Sequence, residues 1–502
     1  MNRREFLGRS ISFAGLTTCC PGLVFAAPHG KFIKGKPNLV FGVVSDIHVR
    51  ALNSAEPLES RTYFTGPFRA ALELFRDEGA DAVVVAGDMA NSGVVDELKA
   101  VADTWFGVFP DDLAPDGRKV ERVFVYGNHD VSRIFGRRAC KGDKDEMKRR
   151  AIALDRAKWW REVFREDFSE VYRKTVKGYD FIGAHWAGEL KGRDESFCRE
   201  LEGFYAKVGP SLDAKKPFFH VQHPHPKGTC HGETVWGQDD GASVRALSNY
   251  PNAVSFSGHS HNSLLDDRAI WQGAFTSVAT ATASHVGMSA LRSGVVAGYE
   301  NYKSSGANAQ EREKNDHAKV MPIIDRGASK QAQIVRVYGD RIVFSRYDLA
   351  DSKPLAKDLV MPLSQSGAKP FAFEPRRAAA KSPAFPAGAA VKISRCKAMR
   401  RGGAKGAPKT DAVEVSVPAA NAEPSARGVR YMVEATGADG SKASFAFLHD
   451  AHRFRAGDAR SEAPMKCRIA LDRLSKGETT FKVTAYSWWD KPSATLETKW
   501  TV

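Results

Sequence analysis

Several things are scarce in this 502-residue chain. Cysteine is one: there are seven, with no Cys-x-x-Cys pair, which excludes the usual thiolate zinc site of fingers and ribbons. Long apolar runs are another. No stretch reaches the roughly 20 apolar residues that a bilayer-spanning helix needs, so no transmembrane segment is expected. There is no repeat of solenoid period. Acid is in deficit, with 59 Asp and Glu against 74 Lys and Arg and a formal charge of +15. The basic residues are spread along the chain without the aromatic interleaving of a nucleic-acid module, so nucleic acid is not the expected partner. The charge suits solubility or an anionic substrate. What is present is ordinary: 42% hydrophobic and 26% charged residues describe a folded globular protein of two or three domains.

The N-terminus reads as an address. Arg3 and Arg4 precede Phe6 and Leu7, a mildly apolar segment runs from Ile11 to Phe25, and Ala26, Ala27 and Pro28 follow. This is the pattern of a twin-arginine signal peptide cleaved after Ala26, and it places the mature chain in the periplasm or outside the cell. Removal leaves Cys140, Cys198, Cys230, Cys396 and Cys467, of which Cys396 and Cys467 are the candidates for a disulfide in an oxidising compartment.

From residue 39 the chain alternates. An apolar strand over 39–46 ends in Asp46, Ile47 and His48. Phe68, Ala71, Leu72 and Phe75 fall on one helical face, and Gly79 stops that helix. A strand over 82–86 ends in Gly87 and Asp88. Val94, Leu98, Val101 and Trp105 mark a second helix, and a strand over 122–126 runs into Gly127, Asn128, His129 and Asp130. Strand, helix, strand, helix, strand is a layered α/β pattern, in which ligands bind at the carboxyl ends of strands. Further on, 144–167 reads as one long charged helix. Lys177 and Gly178 turn between two short strands, and another helix covers about 193–207. A strand over 217–222 ends in His223, a short helix lies near 242–249, and a strand over 253–257 ends in Gly258, His259, Ser260 and His261. Strands follow near 270–284, a polar stretch fills 300–330, and Gly339-Asp340 turns a hairpin. Residues 364–390, rich in Ala, Pro and Lys, read as a linker. From 391 to 502, short alternating runs at 413–417, 431–435, 445–448, 480–486 and 496–502 have the rhythm of a small β-sandwich.

The strand ends gather two carboxylates, one amide oxygen and five imidazoles. Imidazole suits zinc or iron, and carboxylate and amide oxygens suit harder ions such as manganese. The set exceeds the needs of one metal and suits two that share a carboxylate.

The order Asp46-x-His48, Gly87-Asp88, Gly127-Asn128-His129-Asp130, His223 and Gly258-His259-x-His261 resembles the calcineurin-like metallophosphoesterase superfamily. Residues 88–93 (Asp-Met-Ala-Asn-Ser-Gly) and Asp130 are similar to its branch of cyclic-nucleotide and glycerophosphodiester phosphodiesterases. The resemblance implies a four-layer αββα sandwich over 37–363. Beyond the linker, the strand rhythm of 391–502 and the stretch from Phe481 to Tyr486 separately resemble a fibronectin-III or immunoglobulin-like domain. It implies two divalent or trivalent ions, Mn, Fe or Zn. Asp46, His48 and His261 would hold one and Asn128, His223 and His259 the other, with Asp88 bridging. His129 would be the catalytic non-ligand, beside the phosphoryl oxygen or the leaving group, and Asp130 would orient the loop. The implied activity is metal-dependent hydrolysis of a phosphate ester, a diester first, by attack of metal-bound hydroxide. A phosphomonoesterase of the same fold and a cell-envelope binding protein with a structural metal site are the alternatives. The resemblance favours His223, which precedes Pro224 as the family pattern asks, over its neighbours His220 and His225. The loop 226–242, with Trp236, is a candidate specificity loop, and His185 and His285 read as structural.

Overall fold

The computed structural model describes residues 35–56, 60–187, 198, 200–232, 235, 237–284, 286, 329–363, 369–398, 409–423 and 425–502. The signal peptide expected over residues 1–26, Trp236, His285 and most of the polar stretch 300–330 lie outside the described residues.

Two sheets face each other in the first part of the chain. The first contains β1 (Leu39–Val44), β2 (Ala82–Ala86) and β3 (Glu121–Val125), parallel to one another. The second contains β4 (Val171–Val176), β5 (Tyr179–Ala184), β6 (Phe218–Val221), β7 (Ala253–Ser257), β8 (Ile270–Gln272) and β9 (Thr276–Ala279), in the order β4-β5-β6-β7-β9-β8. The chain then returns to the first sheet with β10 (Gln331–Val337), antiparallel to β1, followed by β11 (Arg341–Asp348), β12 (Lys353–Pro354) and β13 (Leu359–Pro362).

The near-continuous apolar runs of these strands follow from burial on both faces. In β1, Leu39, Phe41 and Val43 point between the sheets, where the Phe41 ring meets Phe181, Phe219 and Phe256 at 5.2, 4.8 and 5.6 Å. Val40 and Val44 point the other way, into a core closed by α1 (Gly66–Asp77) and α2 (Val95–Val108). Phe68, Ala71, Leu72 and Phe75 are the buried face of α1, as their spacing requires. Gly42 interrupts β1 because the Phe75 ring lies where a Cβ would be, 2.2 Å away. Outside the second sheet, Ile182, Phe218 and Ala253 pack against helices Leu201–Val208 and Ala242–Leu247. The result is helices, sheet, sheet, helices. Each fully buried Phe or Val contributes about 1.5–3 kcal/mol.

The charged stretch 144–167 is not one helix. It divides into helices Lys144–Arg150 and Arg156–Phe164 with a 3-10 turn at Ile152–Leu154. Ala151 leaves the helix to bridge Val94, Ile152 N donates to Gly93 O, and the Asp155 side chain caps the next helix through Lys158 N. Tertiary pairing overrides propensity here.

Residues 373–379 form a helix, Phe373–Ala379, and Arg376 donates to Ile270 O. Beyond it stand two all-β sheets. β14 (Lys392–Ala398), β15 (Thr410–Val417) and β18 (Met465–Ala470) form one in the order β14-β15-β18. β16 (Arg430–Gly437), β17 (Lys442–Leu448), β19 (Glu478–Tyr486) and β20 (Leu496–Thr501) form the other in the order β17-β16-β19-β20. They close on a core of Val413, Val415, Tyr431, Val433, Phe445, Ile469, Phe481 and Val483. The sequence reading did not single out β14 or β18: β14 is mostly exposed and carries three cations, while β18 does alternate, with Met465, Cys467 and Ile469 buried between Lys466 and Arg468. The expected Cys396–Cys467 disulfide is absent. All five described cysteines are free thiols, and those two sit on the outer strands of one sheet with β15 between them.

Candidate metal centre

The carboxyl ends of β1, β2 and β3 in one sheet and of β6 and β7 in the other open onto one place. β1 delivers Asp46 and His48, β2 delivers Asp88, β3 delivers Asn128 and His129, β6 delivers His223, and β7 delivers His259 and His261. Three groups of donor atoms lie within 4.8 Å of one another: Asp46, His48 and His261; His48, Asp88 and His129; Asp88, His223 and His259. Asp88 belongs to two of them. Asn128 joins through its Oδ1, 3.1 Å from His223 Nε2. The fold thus brings together all eight residues singled out in the sequence.

The backbone is bent to do so. Asp46, His48, Asp88, His259 and His261 have φ of 50°, 48°, 52°, 68° and 56°, a region non-glycine residues rarely occupy. Interstrand bonds hold these turns: Asp46 N donates to Gly87 O at 3.0 Å, His48 N to Asp88 O at 3.0 Å and Gly258 N to His223 O at 2.9 Å. The motif glycines provide room. A Cβ on Gly127 would lie 2.3 Å from Asp88 Oδ1, and one on Gly258 would lie 2.3 Å from Asp46 Oδ2.

The donor chemistry fits cations. His223 Nδ1 donates to Ala86 O at 2.8 Å, because a carbonyl only accepts. Its neutral ring therefore presents a lone pair at Nε2, toward Asp88 Oδ2 at 3.2 Å and Asn128 Oδ1 at 3.1 Å. On the other side His261 Nε2 faces Asp46 Oδ1 at 2.9 Å and His48 Nε2 at 3.1 Å. Convergent acceptors repel one another in a dry site unless a proton or a cation sits among them. The titration behaviour says the same. Burial alone would lower the His223 imidazole, but Asp88 and Asp46 raise it to about 9. Against its own burial, Asp88 is held well below the usual carboxylate range by His223, His129 and His48. Asp46, Asp88 and His223 are almost wholly buried, whereas Asn128 and His129 are half-buried and open the site to solvent.

His129 stands beside His48 and Asp88, with its own backbone and ring held from behind. Its main-chain N donates to Asp88 Oδ1 at 2.8 Å, and its Nδ1 donates to Asn91 O at 2.8 Å, which fixes the tautomer. Phe135 stacks on the ring at 3.8 Å between centroids. Asp130 lies beneath and accepts from Gly127 N at 2.7 Å, Ala90 N at 2.7 Å and Met89 N at 3.3 Å. Burial and the neighbouring Asp88 raise its carboxyl.

The other histidines are framework. His220 sits between Tyr205 Oη at 3.0 Å and Gln222 Oε1 at 2.7 Å, and His225 between Ser257 Oγ and Ser260 Oγ, both at 2.7 Å. His185 accepts from Tyr126 N at 3.0 Å inside an aromatic cage with Trp160 and Phe168, and burial lowers its imidazole. Sequence reading missed Trp186, whose ring lies 5.7 Å from that of His259, and Asn91, which acts through its carbonyl. A carbonyl carries no residue signature, but Trp186 directly follows a strand-end histidine in the sequence and was a visible candidate.

Residues 39–263 match the family of calcineurin-like phosphoesterases. All eight site residues lie inside that span. No curated protein matches the chain. Among solved structures, it is similar to a dimetal phosphatase from Danio rerio (13% identity, TM-score 0.37, covering 66% of this chain and all of that one). It is also similar to a purple acid phosphatase from yellow lupin seeds (11% identity, TM-score 0.36, covering 65% of this chain and 55% of that one). No described helix is long and apolar enough to cross a membrane.

Proposed function

We propose that residues 39–263, which match the calcineurin-like phosphoesterase family, form a metal-dependent phosphoric ester hydrolase domain, and that the chain is an exported enzyme that cleaves phosphate diesters in preference to monoesters. The observation that carries the reading is the sharing of Asp88 between two donor groups, one of which includes His129, a histidine whose Nδ1 is already committed to Asn91 O. Asp46, His48 and His261 would hold one cation and Asn128, His223 and His259 the other, with Asp88 common to both. Two bound cations would supply an activated water and neutralise charge on the phosphoryl oxygens. The chain's own residues do the rest. The Nδ1–H of His129 is committed to Asn91 O, so a protonated ring turns Nε2–H toward the half-buried mouth, where it can protonate the leaving oxygen. Phe135 and Asp130 keep that ring and its loop from swinging.

Support for a diester comes from the turn after Asp88. Met89 N and Ala90 N are committed to Asp130, and Asn91 O to His129, and residues 89–93 carry no cationic side chain to grip a phosphate dianion. A diester carries one negative charge fewer and has less need of that grip. The export reading rests on Arg3, Arg4 and Ala26. Cell fractionation with mass spectrometry of the N-terminus tests it, and an uncleaved chain confined to the cytoplasm contradicts it. The pairing of a three-stranded with a four-stranded sheet supports a fibronectin-III-type module at the C-terminal end. The substrate test compares bis-p-nitrophenyl phosphate with p-nitrophenyl phosphate on the protein loaded with manganese or zinc. Faster diester cleavage is expected, and faster monoester cleavage contradicts the proposal.

A further inference from the structure

The loop that carries His259 and His261 is strained at both residues, and something must hold it. On one side Asp46 Oδ2 accepts from His259 N at 3.0 Å. On the other the loop is held by Gln331, the first residue of β10, whose side chain is fully buried. Gln331 Oε1 accepts from Leu264 N at 2.7 Å and from Ser263 Oγ at 3.3 Å, just after His261. Its main chain is tied in as well: Gln331 N donates to Thr282 O at 2.9 Å, and Thr282 Oγ1 donates to Asp46 O at 2.9 Å.

The far side of the same carboxamide reaches the C-terminal β-sandwich. Gln331 Nε2 donates to Arg453 O at 3.1 Å and to Ser329 Oγ at 3.1 Å, and Ser329 Oγ itself donates to Arg453 O at 2.9 Å. Arg453 lies between β17 and β18. It is 1% exposed, and Asp450 grips its guanidinium at 2.7 and 3.0 Å. Its carbonyl is therefore a buried acceptor taken by two donors from the catalytic region. A second contact reaches the same loop: Trp489 Nε1, after β19, donates to Asp267 Oδ2 at 3.0 Å, and the Trp489 ring packs on Phe373 and Arg376.

We infer that the C-terminal β-sandwich is a positioning element of the metal centre, and that Gln331 is the positioning residue through which Arg453 O braces the His259–His261 loop against Asp46. This rests on the metal-site reading above. A buried amide with its oxygen on a ligand loop and its nitrogen shared between that loop, through Ser263 Oγ at 3.1 Å, and another domain transmits the position of one to the other, because these bonds cannot be exchanged for water. Partners standing behind metal ligands set affinity on a scale of tenfold or more.

The test uses the full mature chain and reads metal binding rather than turnover. Gln331→Glu keeps an acceptor for Leu264 N but loses the donor to Arg453 O and to Ser263 Oγ, whereas Ser329→Ala leaves every loop contact of Gln331 in place. Ser329→Ala removes the second donor to that carbonyl and is small enough to fold. Manganese affinity is measured by calorimetry, with the electron paramagnetic resonance spectrum of bound manganese, well below the melting temperature of each variant. The expected result is a Kd raised about tenfold in Gln331→Glu and about threefold in Ser329→Ala, with a changed manganese spectrum in both. Folded variants that bind with the wild-type Kd and spectrum overturn the inference. If the Gln331→Glu chain is too unstable to assay, Ser329→Ala decides by the same two readouts. A wild-type chain that binds no manganese or zinc overturns the metal-site reading instead.

Discussion

The two-sheet catalytic region and the C-terminal β-sandwich use one device, a pair of sheets closed over an apolar core, and differ in what stands at the strand ends. In the first, Asp46, His48, Asp88, His259 and His261 are bent into left-handed backbone, and buried carboxylates and imidazoles face one another. In the second, Asp490 is the one described non-glycine residue with such a backbone. Strain and convergent charge have costs, and they persist where surrounding structure over-determines them and function makes use of them. The sandwich core has ordinary strands and few ionisable groups inside, which suits a support rather than a site.

That contrast can be broken, and the catalytic side should break hardest. Asp88→Ala removes the carboxylate shared by both donor groups and should lower turnover on the order of a thousandfold or more, read as kcat on the diester substrate. His129→Ala should retain metal content and lower kcat on the order of a hundredfold. Loss of metal in that variant would make His129 a ligand, as its place in a donor group with His48 and Asp88 allows geometrically.

Those two residues were legible because their chemistry is written in side chains at strand ends. Asp46-x-His48, Gly87-Asp88, Asn128-His129, His223 and His259-x-His261 each follow a run of apolar residues, and that run fixes where they emerge. The helix at 68–75 was legible for the same reason, a sustained period. The stretch 144–167 was misread because its charge pattern suits a helix, while Ala151 is claimed by Val94 from another element. Asn91 and Arg453 act through carbonyls, which every residue has. β14, an edge strand, carries three cations and few buried residues, whereas β18 alternates Met465, Cys467 and Ile469 with Lys466 and Arg468 and was legible but overlooked.

Smaller effects sharpen the comparison. Glu97 on α2 is nearly buried and accepts from Ser92 N at 2.7 Å. Burial raises its carboxyl from 4.5 to about 7, against the Ser92 and Asn91 hydrogen bonds. A folded-state value above the unfolded one means its contribution is full below about 4.5 and is lost as pH rises through about 7. Glu97→Gln should therefore flatten the fall in Tm between about pH 5 and about pH 8, and an unchanged slope would contradict this. In the sandwich, Tyr431 Oη accepts from Ala420 N at 2.7 Å. Tyr431→Phe should cost about 1 kcal/mol in chemical denaturation and leave kcat unchanged.

The measurement that bears hardest on the account is the count of tightly held metal ions per chain, after loading with manganese or zinc and desalting, in the wild type and in Asp88→Ala. Two ions in the wild type and their loss in Asp88→Ala are expected. Fewer than two in the wild type, or an unchanged count in the variant, would contradict a dinuclear centre built around Asp88.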